Sequence, residues 1–243
     1  MSNFKISKAV IPNSITALNL LSGFLSIIFA ASGDFKVASL LIVLAAVFDV
    51  MDGLIARMLH TSSRFGVELD SLADVVSFGA APAFLIYKVY FFEMGWYGMI
   101  LSALPLVFGA FRLARFNVET EDLEKKGDFK GLPIPISAIT LASFVLAFYH
   151  EGIFEKPFAD FMIPVTLLVS FLMVSRIGYS SFPKLNKKSF KERRVLLILM
   201  ALGFISGYYT RDAALFIIFF VMVLFGIFRH IFELLFSSKT KDK

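Results

Sequence analysis

Apolar runs long enough to cross a bilayer follow one another along the chain, separated by short polar breaks. A spanning helix needs about 20 predominantly apolar residues. Cutting at the loop signals gives eight candidates, roughly 13 to 32, 36 to 58, 66 to 90, 95 to 117, 133 to 150, 157 to 176, 194 to 209 and 212 to 236. Ser32-Gly33-Asp34, Glu93-Met94-Gly95, His150-Glu151-Gly152 and Tyr209-Thr210-Arg211-Asp212 mark four of the breaks, while 118 to 131 and 178 to 194 are longer polar stretches. The pattern predicts an all-α polytopic membrane bundle of about eight transmembrane helices. The first apolar run follows a positively charged start but lacks a small-residue cleavage site, so it reads as a spanning helix and not as a removed signal.

Composition agrees with this pattern and narrows the chemistry. The 243 residues are 58% hydrophobic, include 30 Phe, and have a mean hydropathy of +0.78, well above the apolar share of an ordinary globular domain. Cysteine is absent, which excludes disulfides, thiolate nucleophiles and zinc–thiolate sites. The net charge of +5 and pI of about 9.3 come from basic residues in the polar segments, without a basic stripe interleaved with stacking aromatics, so nucleic-acid binding is not expected. With eight spans both termini share one side. Of the 24 Lys and Arg residues, 20 then fall on the terminal side, and the other four are Lys36, Lys88, Lys156 and Arg211. The positive-inside rule accordingly predicts a multi-pass protein of the cytoplasmic membrane with both termini cytoplasmic. The basic cluster from Lys184 to Arg194 suits either orientation or contact with anionic headgroups.

Four acids interrupt this apolar pattern. Asp49 and Asp52 lie near the end of the second run, and Asp70 and Asp74 lie near the start of the third. Helical spacing puts Asp49, Asp52, Gly53 and Ala56 on one narrow face, and Gly66, Asp70, Asp74, Ser77 and Ala81 on another. Two helices joined by a short turn can aim both pairs into one space at the cytoplasmic rim. Carboxylates in hydrocarbon are costly unless compensated, which makes them functional candidates. An all-oxygen set suits Mg²⁺ or Mn²⁺. The sequence offers two other readings: salt bridges to Arg57 and Arg64, or an ion or proton pathway of a divalent-cation transporter. The acids outnumber those arginines, and the last four spans carry acids only near their ends, at Asp160, Asp212 and Glu233, with none in their interiors to extend a pathway. His60, His150 and His230 fall at helix ends and read as interfacial residues. Paired metals commonly clamp phosphate oxygens during displacement, Arg57 can bind a diphosphate, and a free carboxylate can act as base. Residue chemistry therefore points to metal-dependent phosphoryl-type transfer.

The spacing Asp49-x2-Asp52-Gly53-x2-Ala56-Arg57-x8-Gly66-x3-Asp70-x3-Asp74 resembles the signature of the CDP-alcohol phosphotransferase family at every fixed position. The resemblance implies a six-helix catalytic core in a homodimer, expected here over 1–176, with residues 177–243 adding a basic cytoplasmic loop and two further helices. It implies two divalent metal ions, Mg²⁺ or Mn²⁺, on Asp49, Asp52, Asp70 and Asp74, with Asp74 also the proton acceptor. It implies CDP-linked substrate contacts at Pro12, Asn13, Gly53, Ala56, Arg57, Ser63 and Gly66. Pro12-Asn13 equally suits a plain helix start.

Three more stretches, Ser71 to Ala83, Arg112-Leu-Ala-Arg115-Phe-Asn117 and Phe129-Lys-Gly131-Leu-Pro133-Ile-Pro135, are similar to the bacterial and archaeal phosphatidylserine synthases of that family. The implied reaction transfers a phosphatidyl group from CDP-diacylglycerol to the L-serine hydroxyl and releases CMP, as a step of phospholipid biosynthesis. Arg112 and Arg115, three residues apart on one helix face, are expected to bind the serine carboxylate, and Ser77 or Asn117 its ammonium or hydroxyl. Two arginines would also serve a glycerol-phosphate acceptor or simply anchor a helix end. Phosphatidylglycerophosphate synthase is therefore the alternative within the family.

Overall fold

Small and hydroxylated side chains recur on one stripe of each of the first two apolar runs. In lipid such stripes mark where helices meet, because hydrocarbon gives large apolar side chains no preference for protein over bilayer. The computed structural model describes residues 9–61, 63–121, 131–150, 153–154, 158–179 and 213–237. In it α1 (Val10–Ala31) buries Thr16, Asn19, Ser22, Gly23, Ser26 and Ala30, and α2 (Phe35–Leu59) buries Ala38, Ser39, Ile42, Ala45 and Ala46. These stripes face each other, and Ser26 Oγ donates across them to the Ala38 carbonyl at 2.8 Å. Leu18, Leu21, Phe24, Leu40, Leu44 and Leu54 point outward, as lipid-facing positions should.

The third span, Arg64–Val89, is not the uniform helix predicted over 66 to 90. It consists of α3 (Arg64–Asp74), a π-helical turn (Val75–Ala80) and α4 (Ala81–Val89). The π turn packs against both α1 and the fourth span. A Cβ on Gly23 of α1 would collide with Ser77, and one on Gly79 would come within 3.0 Å of Leu106. The wider turn sits where those glycines admit it, immediately after Asp74.

A 3₁₀ turn (Phe91–Met94) leads into α5 (Gly95–Glu121), followed by α6 (Ile134–Phe148), α7 (Met162–Val174) and α8 (Ala214–Ser237). The fifth and sixth runs form shorter α-helices than expected. Tyr149–His150 pairs with Ile153–Phe154 as an antiparallel two-stranded sheet, and Phe158–Phe161 forms a 3₁₀ turn before α7. Eleven of the 15 residues of α6 are buried, packed against α2, α4, α7 and α8, so α6 is the axis of the bundle. Five described helices are long and apolar enough to cross a membrane, and Ile134–Phe148 and Phe158–Val174 are shorter apolar helices. The chain is an all-α polytopic membrane protein.

The expected span 194 to 209 and the Lys184 to Arg194 cluster lie outside the described residues. The run predicted over 212 to 236 is α8, which rests on α6. Tyr179 fixes it in place: its ring fills the space beside Gly226, and its hydroxyl donates to the Val223 carbonyl at 3.0 Å. At the start of α5, exposed Trp96 and Tyr97 stack at 3.9 Å. Such amphipathic rings favour a membrane–water boundary, and Val118 and Glu119 mark the opposite end of the same span.

Candidate active site

The reversal between α2 and α3 is built from two caps. His60 takes a left-handed conformation (φ 52°), its N–H bonds the Arg57 carbonyl at 3.3 Å, and the Thr61 N–H bonds the Ala56 carbonyl at 3.0 Å. This is the Schellman closure, usually made by glycine. Ser63 Oγ then accepts the Gly66 N–H at 3.0 Å and starts α3. His60, expected to be simply interfacial, is thus a turn residue. His150 contacts the Ala147 carbonyl at 3.0 Å through Nε2.

Folding at this turn sets the paired acids of α2 against those of α3. One carboxylate oxygen each from Asp49, Asp70 and Asp74 lies within 4.8 Å of the others. Asp52 adjoins this trio but is engaged elsewhere: its Oδ2 accepts the Thr16 hydroxyl at 2.7 Å. Asp74 Oδ1 faces Asn19 Nδ2 at 3.5 Å. Asp52 and Asp74 are 5% and 7% exposed, and Asp70 Oδ1 is buried without a protein hydrogen-bond partner. Carboxylates gathered in a buried place repel one another and lose hydration, and neutralisation by a hard cation answers both costs. The all-oxygen donor set and the unpartnered Asp70 oxygen fit such an ion.

Of the residues expected on the nucleotide side, Asn13, Ser63 and Gly66 come together where α1 meets the start of α3. Pro12 is buried, and Asn13 Oδ1 and Ser63 Oγ both lie 3.2 Å from where a Cβ on Gly66 would stand. Along α2, a Cβ on Gly53 would meet nothing within 4 Å. Arg57 is exposed and returns Nε to the Gly53 carbonyl at 3.0 Å, and Ala56 is half-buried. The α2 face beside the acids is therefore open.

The residues expected around serine separate into two groups. Arg112 is 9% exposed, its Nε has no hydrogen-bond partner, and its charge is within electrostatic reach of Asp74. The other three join helices together. Ser77 Oγ donates to the Asn19 carbonyl at 2.9 Å. Arg115 donates to the Val174 carbonyl at 3.2 Å and the Met173 carbonyl at 3.5 Å at the end of α7. Asn117 Nδ2 donates to Ser71 Oγ at 3.0 Å.

Thr16 and Asn19 touch the acids, yet the sequence alone did not single them out. The available signal was their spacing of three on the face of α1 that also carries Pro12, Gly23 and Ser26. An apolar cavity of about 400 Å³ lies elsewhere, bordered by Ile27, Ala83, Phe84, Tyr87, Met99 and Leu106, and has no part in this arrangement.

Residues 9–179 match the sequence model of the family described as CDP-alcohol phosphatidyltransferase. The chain is similar to a Helicobacter pylori protein named CDP-diacylglycerol–serine O-phosphatidyltransferase, with 38% identity over 237 residues, covering 96% of this chain and 95% of the relative. A Methanothermobacter thermautotrophicus archaetidylserine synthase is 37% identical over 182 residues, 74% of this chain and 73% of that protein. A Methanocaldococcus jannaschii CDP-diacylglycerol–serine O-phosphatidyltransferase is 36% identical over 184 residues, 74% and 79% of the two chains.

Proposed function

The chain belongs to the CDP-alcohol phosphatidyltransferase family, and we propose that it is a CDP-diacylglycerol–serine O-phosphatidyltransferase, joining a phosphatidyl group to L-serine and releasing CMP. The observation that carries this reading is near-full-length similarity to a relative of that name, supported by an acid cluster whose carboxylates could hold a metal ion. Asp49, Asp52, Asp70 and Asp74 would hold two divalent ions, Mg²⁺ or Mn²⁺. Such ions supply Lewis-acid polarisation of a diphosphate and neutralise a leaving phosphate.

The chain's own groups account for the remaining steps. Pro12, Asn13, Ser63 and Gly66 border the nucleotide, while Gly53 and Ala56 leave room for it and Arg57 meets its diphosphate. Arg112 takes the serine carboxylate, because its guanidinium is enclosed beside Asp74 with an N–H to give. Arg115, Ser77 and Asn117 contribute by fixing the helices around that position. Asp74 accepts the serine hydroxyl proton as the serine oxygen bonds to the lipid-linked phosphorus and the bond from that phosphorus to CMP breaks. The lipid tails lie in the bilayer beside α2 and α3.

The excess of Lys and Arg on the terminal side supports a cytoplasmic-membrane protein with cytoplasmic termini and active site. Soluble serine would then meet a lipid-bound nucleotide at the inner face. The proposal includes the homodimer expected of the family.

An acceptor panel tests the reading. Purified protein receives CDP-diacylglycerol, Mn²⁺ or Mg²⁺, and L-serine, glycerol 3-phosphate or inositol. Phosphatidylserine formed only with serine is the expected result. Lipid product from glycerol 3-phosphate would assign phosphatidylglycerophosphate synthesis instead, and divalent-ion flux without any CMP would assign transport.

A further inference from the structure

α1 carries no charged residue between Val10 and Ala31, yet two of its buried side chains end on carboxylates from two different spans. Thr16 Oγ1 reaches Asp52 Oδ2 of α2 at 2.7 Å, and Asn19 Nδ2 faces Asp74 Oδ1 of α3 at 3.5 Å. Thr16 is 4% exposed and Asn19 fully buried. Three residues apart, they share one face of α1. The amide of Asn19 must present its nitrogen to Asp74, because its oxygen would set acceptor against acceptor.

The register of α1 is fixed at this same level. The Asn19 carbonyl accepts the Ser77 hydroxyl at 2.9 Å, and Gly23, one turn further along, leaves its Cβ position to Ser77. Neither carboxylate can turn freely while one of its oxygens is committed to α1. A donor placed behind a metal-binding carboxylate orients it, and losing such a donor typically weakens metal affinity by about 10 to 100-fold.

We infer that Thr16 and Asn19 are positioning residues: α1, which supplies no carboxylate, fixes the orientation of Asp52 and Asp74 and thereby sets the affinity of the site for divalent cations. The inference rests on the proposed phosphatidyl transfer only for what those cations are used for.

The test is Mn²⁺ titration of the full-length protein in detergent, with free Mn²⁺ read by electron paramagnetic resonance. Thr16→Val keeps the shape and removes the hydroxyl, Thr16→Ser keeps the hydroxyl, and Asn19→Leu removes the amide. Thr16→Val and Asn19→Leu are expected to bind Mn²⁺ about 10-fold or more weakly, while Thr16→Ser stays near the parent. Serine-dependent CMP release by Thr16→Val should recover as Mn²⁺ is raised to saturation, which a merely structural defect would not do. Wild-type Mn²⁺ affinity in Thr16→Val would overturn the inference. So would Thr16→Ser binding as weakly as Thr16→Val, or a parent protein that binds no Mn²⁺. The Thr16 pair decides the outcome even where Asn19→Leu fails to fold. A parent that binds Mn²⁺ but releases no CMP with serine would contradict the proposed function and leave the Thr16 assignment standing.

Discussion

Asp74 stands among three kinds of neighbour at once: the carboxylates of Asp49 and Asp70, the Asn19 amide, and the charge of Arg112. This environment suits a residue that both holds a cation and receives a proton. Asp74→Asn keeps the size and removes the charge and basicity. It should leave CDP-diacylglycerol binding in place while transfer falls by at least the roughly 10² to 10⁴-fold that a positioned base contributes. Equilibrium binding beside steady-state turnover checks this, and near-normal turnover would remove Asp74 from the role of base. Arg112 gives the second residue-scale prediction. Lysine keeps the charge but loses the planar fork, and a lost charge-assisted bond is worth about 1.5 to 3 kcal/mol. Arg112→Lys should therefore raise the KM for serine about 10-fold or more, with the KM for CDP-diacylglycerol nearly unchanged. Equal rises in both would argue that Arg112 supports the fold and not the acceptor.

At the scale of elements, the contact between α1 and the π turn governs the site's shape. Gly23→Val would drive a side chain into Ser77. Overpacking of this sort costs about 1 to 3 kcal/mol, so a lower midpoint of thermal unfolding is expected together with weaker Mn²⁺ binding, as Asn19 moves with α1. An unchanged midpoint would mean that the helices separate freely there. The five described spans were legible in the sequence, because hydrocarbon thickness demands long apolar runs and Gly, Ser and Asp mark their ends. The acid faces were equally legible, since Asp49, Asp52, Asp70 and Asp74 follow helical spacing. The π turn was not, because Val75 to Ala80 are as apolar as their surroundings and widening one turn leaves the hydrophobic pattern intact. His60 was missed for a related reason: the left-handed position it fills is normally announced by glycine. Thr16 and Asn19 were hidden by ambiguity, since hydroxyls in apolar helices commonly bond back to the preceding turn. Ser14 and Ser22 do so here, to Val10 and Leu18. Thr16 also comes within 3.1 Å of the Pro12 carbonyl, and only the tertiary arrangement, which brings Asp52 to 2.7 Å, separates it from them. Arg115 read like Arg112 on the helix face, and the approach of α7 is what divides their roles.

At the scale of the whole molecule, α5 joins the aromatic end at Trp96 to the end at Val118, both exposed. The absence of cysteine makes orientation directly readable from single introduced thiols. In intact cells a membrane-impermeant maleimide should label Trp96→Cys, and Val118→Cys only after permeabilisation. The reverse pattern would place the acids at the outer face, away from cytoplasmic serine. The central claim, that the acid cluster carries phosphatidyl transfer to serine, is tested most directly by measuring CMP and phosphatidylserine together over time. The comparison is between the parent protein and Asp70→Asn, with CDP-diacylglycerol and Mn²⁺, with and without L-serine. The account predicts one CMP per phosphatidylserine, only with serine, and loss of both products in Asp70→Asn. CMP release that ignores serine, or undiminished phosphatidylserine synthesis by Asp70→Asn, would contradict it.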